Sequence, residues 1–210
     1  MTTPIRAAAR RTAPAKPTTA PPPAPVLRFT VGQYHRMGEA GILTENDRCE
    51  LIDGLILEKP VINPPHAKSV RRLHRLLSAI FGGDDWVVGT QQPVTTRDSE
   101  PEPDAAVATG PEEKYDRRHP GPGETVLVAE VSDSSLNYDR GEKLQLYARA
   151  RIPVYWILNL QDRRVEVYTD PRGGRNPTYR ARTDYAPGAA VPVAVAGKTL
   201  GTIPVNELLP

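Results

Sequence analysis

The sequence predicts an α/β (α+β) fold in which helices flank a mixed central β-sheet. Three observations carry this. Apolar residues repeat at helical spacing near residues 66–81, a strand over 125–131 is apolar on both faces, and the chain runs helix, hairpin, helix, several strands, helix, strand.

The first 28 residues stand apart as a Pro/Ala-rich basic tail, and residues 29–210 form the expected folded domain. Residues 1–26 contain too few large apolar side chains to offset the entropy of ordering them, so the tail is expected to be disordered. It holds Arg6, Arg10, Arg11, Lys16 and Arg28 and no acid, which leaves 22 basic against 25 acidic residues in the domain, a balance near −3. The mild net charge of +2 therefore belongs to the tail, and a strongly basic nucleic-acid-binding body is not indicated. The tail lacks the apolar core of a secretory signal, and no later stretch is long enough to span a membrane. The single cysteine, Cys49, excludes an internal disulfide and a zinc cluster built on cysteines. A cytoplasmic protein without a membrane role is the expectation.

Along the domain, Thr30 and Gln33 resemble a capping box ahead of a short helix over 30–39, which Gly38 or Gly41 ends. Asp53-Gly54 lies between the apolar runs Leu51-Ile52 and Leu55-Ile56-Leu57, the strongest local signal for a tight hairpin. After Pro64-Pro65, the inward positions Val70, Leu73, Leu77, Ile80 and Phe81 define an amphipathic helix of about four turns. Lys68, Arg71, Arg72 and Arg75 lie mostly on its other face, and Gly82-Gly83 stops it.

Residues 86–96 and 104–109 read as strands, and 110–124 as a loop rich in Pro, Gly and charge. In the strand 125–131, Val126, Val128 and Glu130 share one face and Leu127, Ala129 and Val131 the other. A helix over 139–150, strands near 154–160, 163–169 and 179–185, and a short extended piece over 197–210 complete the reading.

Asp104 follows Pro103 at a strand start, where it reads either as a turn residue or as a functional acid. Glu130 sits mid-strand on a buried face, which leaves three readings: a buried ion pair with an arginine, an early strand end, or a functional carboxylate. Asp139, Lys143 and Tyr147 share a helical face, so Asp139–Lys143 is either a surface ion pair or Lys143 reaches the sheet end over apolar surface. His66 aligns with the inward stripe of its helix, and Glu50 opens the hairpin; each is a structural residue or a supporting site residue. The chain has no glycine-rich phosphate loop, no serine elbow and no His-rich metal motif.

Taken in order, Glu50-Leu51-Ile52-Asp53-Gly54, the His66 helix, Pro103-Asp104, Val128-Ala129-Glu130-Val131-Ser132, Asp139-Arg140-Gly141-Glu142-Lys143 with Tyr147, and Ile152-Pro153-Val154-Tyr155-Trp156-Ile157-Leu158 resemble the Uma-type family of bacterial endonucleases. That family belongs to the restriction-endonuclease-like PD-(D/E)XK superfamily, and the resemblance covers about residues 29–209. It implies a mixed sheet flanked by helices with the active site at one sheet edge, and it implies a nuclease acting on nucleic acid, with DNA favoured. Asp104 and Glu130 match the two acids that would hold Mg²⁺ or Mn²⁺. The superfamily's lysine usually lies two residues after the second acid, where this chain has Ser132, so the resemblance assigns that role to Lys143 from the following helix. Glu50 and His66 take supporting roles. Two other readings remain open: a catalytically inactive nucleic-acid- or protein-binding module on the same fold, and a metal-dependent hydrolase of another phosphate ester. Exposed strands near the C-terminal end suggest a homodimer.

Overall fold

The structure, a computed structural model, describes residues 25–210. The predicted tail therefore lies, up to residue 24, outside the described residues. Helix α1 (Val31–Glu39) is capped by the reciprocal Thr30–Gln33 pair, as its sequence requires. The hairpin forms from β1 (Cys49–Ile52) and β2 (Leu55–Glu58), which pair through Ile52 and Leu55. Asp53 and Gly54 both take positive φ (48° and 75°), which matches a type I′ turn. Glycine is required there on a second count: a Cβ on Gly54 would fall 2.7 Å from Arg28 Cβ and 2.9 Å from the Phe29 carbonyl oxygen.

Helix α2 (Pro64–Ile80) follows, with Asn63 as its N-cap and proline in its first turn. It buries Val70, Leu73 and Leu77 against the sheet. The sheet has six strands: β3 (Trp86–Gly89), β4 (Ala105–Thr109), β5 (Thr125–Ser132), β6 (Val154–Asn159), β7 (Arg164–Arg172) and β8 (Thr178–Tyr185), neighbours in that order. Only β5 and β6 run parallel, joined by α3 (Leu136–Tyr138), a π turn over Asp139–Lys143, and α4 (Leu144–Arg149). A parallel pair needs such a crossover, and the helical connection supplies it.

The sheet is covered on both faces, which is why β5 reads as an almost unbroken apolar run. Leu127, Ala129 and Val131 pack with α2 and a C-terminal hairpin, while Val128 packs with Ile157, Tyr147 and Tyr155 on the other face. A separate two-stranded sheet, β9 (Ala190–Val195) with β10 (Lys198–Pro204), and the short α5 (Val205–Leu208) close the first core.

Three expectations are corrected. The strand expected over 86–96 ends at Gly89, because Gln91 takes φ 51° and the chain then crosses irregularly towards β4. The extended piece expected over 197–210 is one arm of a hairpin followed by a helical turn, and its partner β9 was not foreseen. The helix expected over 139–150 begins at Leu136 and is interrupted by the π turn. Among the described residues no helix is long and apolar enough to cross a membrane.

Candidate active site

Pairing places the two acids. Ala105 of β4 lies opposite Ala129 of β5, so Asp104 and Glu130 flank that pair at the same end of the sheet. The Val131 N–H donates to Asp104 Oδ2 at 2.8 Å, and the Asp104 N–H reaches Glu130 Oε2 at 3.3 Å. Each carboxylate is thus oriented by its neighbour's backbone.

Three further elements converge here. The hairpin is held to residues 98–102 by the Glu100 N–H donating to the Leu51 carbonyl at 2.6 Å and the Asp53 N–H donating to Ser99 Oγ at 2.8 Å. Arg149 on α4 ties the Asp53 carboxylate at 2.5 Å. So fixed, β1 aims Glu50 inward, where its Oε2 accepts from the Glu102 N–H at 3.0 Å and from Lys143 Nζ at 2.6 Å. His66, in the first turns of α2, places Nε2 3.1 Å from Asp104 Oδ2.

Lys143 is the hub. It is only 4 % exposed, with Nζ 2.6 Å from Glu50 and 3.3 Å from Glu130 Oε1. The π turn sets this reach: the Leu144 N–H bonds to the Asp139 carbonyl, and the Tyr155 hydroxyl donates to the same oxygen at 3.0 Å. Asp139 does not form the surface ion pair with Lys143 that i,i+4 spacing offered. It is buried and accepts instead from Ser132 Oγ and Ser135 Oγ, both at 2.6 Å. Ser132, two residues after Glu130, is therefore a small side chain that anchors the turn presenting the lysine. Tyr147, one turn on, donates to Glu130 Oε1 at 2.7 Å.

All five predicted residues, Glu50, His66, Asp104, Glu130 and Lys143, line one pocket of about 80 Å³. Sequence reasoning missed Tyr138 on its wall and the role of Ser132 beneath it. The spacing Ser132, Ser135, Asp139 was the available signal for the second; nothing in the sequence pointed to Tyr138. The Tyr138 hydroxyl and His66 Nδ1 are buried in the pocket wall without a hydrogen-bond partner. The pocket shares Arg48, Lys59, Gln91 and Glu102 with a groove of about 1270 Å³ between α1 and the loop after β4.

Negative charge exceeds positive in the pocket. Burial pushes the Glu130 carboxyl up; Lys143 opposes this, while Asp104, Asp139 and Glu50 add to it. Burial also raises Asp139, against its two serine hydrogen bonds. Burial pulls the Lys143 ammonium down, but Glu130 and Glu50 outweigh it and hold it firmly protonated. Both partners of the Lys143–Glu130 contact are therefore raised, which favours the charged form of the lysine and the neutral form of the glutamate. The distances decide: Lys143 is directed first at Glu50, and Glu130 is left under-compensated. For His66, burial works to lower the pKa, but the hydrogen bond it donates to Asp104 and the charge of that carboxylate outweigh burial and raise it.

Asp104 and Glu130 are the residues that could hold a divalent cation. Among the described residues no group of three or more His, Cys, Asp or Glu side chains is spaced to hold a metal by itself. Two carboxylates with an excess of negative charge nevertheless fit Mg²⁺ or Mn²⁺, since hard ions of this kind keep water and bind through one or two carboxylates plus a substrate phosphate.

A mixed six-stranded sheet flanked by helices, with acids from adjacent strands meeting a lysine at one end, is consistent with a restriction-endonuclease-like protein. The chain belongs to the Uma2 family, described as "Putative restriction endonuclease", whose model matches residues 31–197. Among solved structures it is similar to "a putative nuclease belonging to DUF820" from Anabaena variabilis, at 13% identity and a TM-score of 0.62, covering 86% of this chain and 97% of that one. Comparison with curated proteins gives no match.

Proposed function

We propose that this chain is a divalent-metal-dependent endonuclease that hydrolyses phosphodiester bonds in nucleic acid, with DNA as its substrate. The observation that supports the reading is the under-compensated pair Asp104–Glu130 with Lys143 at 3.3 Å, at the bottom of one pocket. Family membership agrees with it.

When bound at these carboxylates, a cation of this kind polarises the phosphate and lowers the pKa of an attacking water. The chain's own groups do the rest. The Val131 N–H and His66 hold Asp104 through Oδ2, which leaves Oδ1 free to coordinate. Tyr147 fixes Glu130. An ammonium has three donors, and Glu50 and Glu130 take two, so Lys143 retains one N–H for a phosphoryl oxygen or the attacking water. Glu50 keeps the ammonium charged and aimed. His66, raised in pKa by Asp104, offers positive charge to a phosphate. DNA as substrate goes with a cytoplasmic location. A homodimer remains part of the proposal, although the outer edge of β8 carries Arg180, Arg182 and Asp184, charges that discourage strand addition.

The test is Mn²⁺ titration into wild type and the Asp104→Ala/Glu130→Ala variant, followed by cleavage of single- and double-stranded DNA and RNA. Binding and cleavage that both vanish in the variant support the reading. Saturable binding without cleavage of any of the four substrates would favour an inactive binding module, and cleavage of a small phosphate ester alone would favour a different hydrolase.

A further inference from the structure

Charge in this protein is segregated along the sequence. From Lys59 to Gly83 there is no acid and there are five basic residues, whereas the remainder of residues 29–210 holds 17 basic and 25 acidic. The segment is thus +5 and the rest −8. Most of that positive charge lies on α2, whose inward face is apolar and whose first turns carry His66 into the pocket.

On the outward face, Lys68, Arg71 and Arg75 are exposed at i, i+3 and i+7, one side of a helix. Unlike Arg72, which bonds the Leu209 carbonyl, these three make no ion pair or side-chain hydrogen bond among the described residues. The groove beside the pocket offers a contrast. Three of its six basic groups are matched by acids, Arg118 with Glu124 at 2.5 Å, Lys59 with Glu102 at 2.6 Å and His35 with Glu100 at 2.7 Å. Arg48, Arg117 and His119, unpaired among the described residues, share the groove wall with the acids Glu39 and Asp116. A polyanion gains more from three unpaired cations than from paired ones, because it need not displace a carboxylate first.

We propose that the outward face of α2 is the track on which a nucleic-acid backbone is held, with Lys68, Arg71 and Arg75 as its phosphate contacts. This rests on the nuclease reading above and supplies what the near-neutral domain otherwise lacks, a local attraction for its substrate. The seven steps from Lys68 to Arg75 span ~10 Å of helix axis, enough for about three phosphates of one strand at ~3.4 Å of axial advance each. The stripe begins at the helix end where Pro60, Ile62 and His66 line the pocket, so a backbone lying along it arrives at the acids. It is a positioning surface, separate from the chemistry.

The experiment is fluorescence anisotropy of a labelled short DNA duplex of mixed sequence, in EDTA, over about 50 to 200 mM NaCl. Wild type is compared with Lys68→Gln/Arg71→Gln/Arg75→Gln, with Arg71→Gln/Arg75→Gln, and with Arg117→Gln/Arg118→Gln in the groove. The expected result is a log–log salt slope shallower by about 0.9 per residue removed, at least about tenfold weaker binding at the lowest salt for the triple variant, and an unchanged melting temperature and Mn²⁺ affinity. Wild-type binding that the stripe variants leave intact would overturn the inference while the nuclease reading stands. A greater loss from the groove variant than from the triple variant would also overturn it, by placing the track in the groove. A wild type that binds no duplex at the lowest salt overturns it as well. Cleavage assayed separately with Mn²⁺ then shows whether the nuclease reading falls with it.

Discussion

Two carboxylates on this sheet are buried to nearly the same degree and live in opposite surroundings. Glu166 of β7 is fully buried and meets two guanidiniums, Arg140 with Nε at 3.1 Å and Arg182 at 3.3 Å, together with Asn159 at 2.9 Å and the Tyr168 hydroxyl at 2.7 Å. Burial pushes its pKa up, but the hydrogen bonds from Arg140, Asn159 and Tyr168, with the charge of Arg182, outweigh that and lower it. Glu130 of β5 shares one ammonium with Glu50, beside Asp104 and Asp139, and its pKa is raised. The same residue type mid-strand is a satisfied ion pair in one place and an unbalanced acid in the other. Burial alone does not mark a site; the ratio of acids to cations does.

That contrast can be broken by experiment. Its largest test is neutralisation in the pocket: Asp104→Asn or Glu130→Gln is expected to cut cleavage by about 10²–10³-fold. Neither should lower the melting temperature, because each removes one of an excess of carboxylates. A steep fall in melting temperature in either variant would make the pocket an ordinary ion-pair network like that of Glu166.

Next in size is Glu166→Ala, expected to cost about 2–3 kcal/mol by chemical denaturation, less than the loss for breaking a wholly buried pair because both guanidiniums stay partly in water. Cleavage per folded molecule should be retained. The pH dependence sharpens this. A depressed folded pKa gives stability that is present above the unfolded carboxylate value, near 4.3, and is lost as pH falls through the lower folded value. The melting-temperature gap between wild type and Glu166→Gln should therefore be widest at neutral pH and close in acid; a gap that widens in acid would reverse the assignment.

The smallest effect concerns Tyr138, whose buried hydroxyl has no partner. Tyr138→Phe should leave stability within about 1 kcal/mol or raise it slightly, since no protein hydrogen bond is lost. A larger loss on thermal unfolding would mean the hydroxyl is satisfied.

Much of the architecture was legible in the chain. The hairpin followed from Asp53-Gly54, α2 from its apolar repeat, and the central position of β5 from apolar residues on both of its faces. These are local signals, set by φ preference and side-chain periodicity within one segment. The C-terminal hairpin was not legible, because β9 is defined by its pairing with β10 and by the core it closes.

The site divides in the same way. Sequence by itself determined which residue types were available and that Glu130 would be buried, since strand alternation fixes the face. It could not distinguish Glu130 from Glu166, because compensation depends on partners 13 to 26 residues away, Lys143 and Tyr147 for Glu130 and Arg140 and Arg182 for Glu166. Nor could regular helical spacing show that a π turn, pinned by Ser132 and Ser135 through Asp139, would turn Lys143 inward. Local preference is written in the order of residues; electrostatic balance is decided only when the sheet, the hairpin and the crossover bring their charges together, because Coulomb energy depends on distance in space and on the water excluded between them.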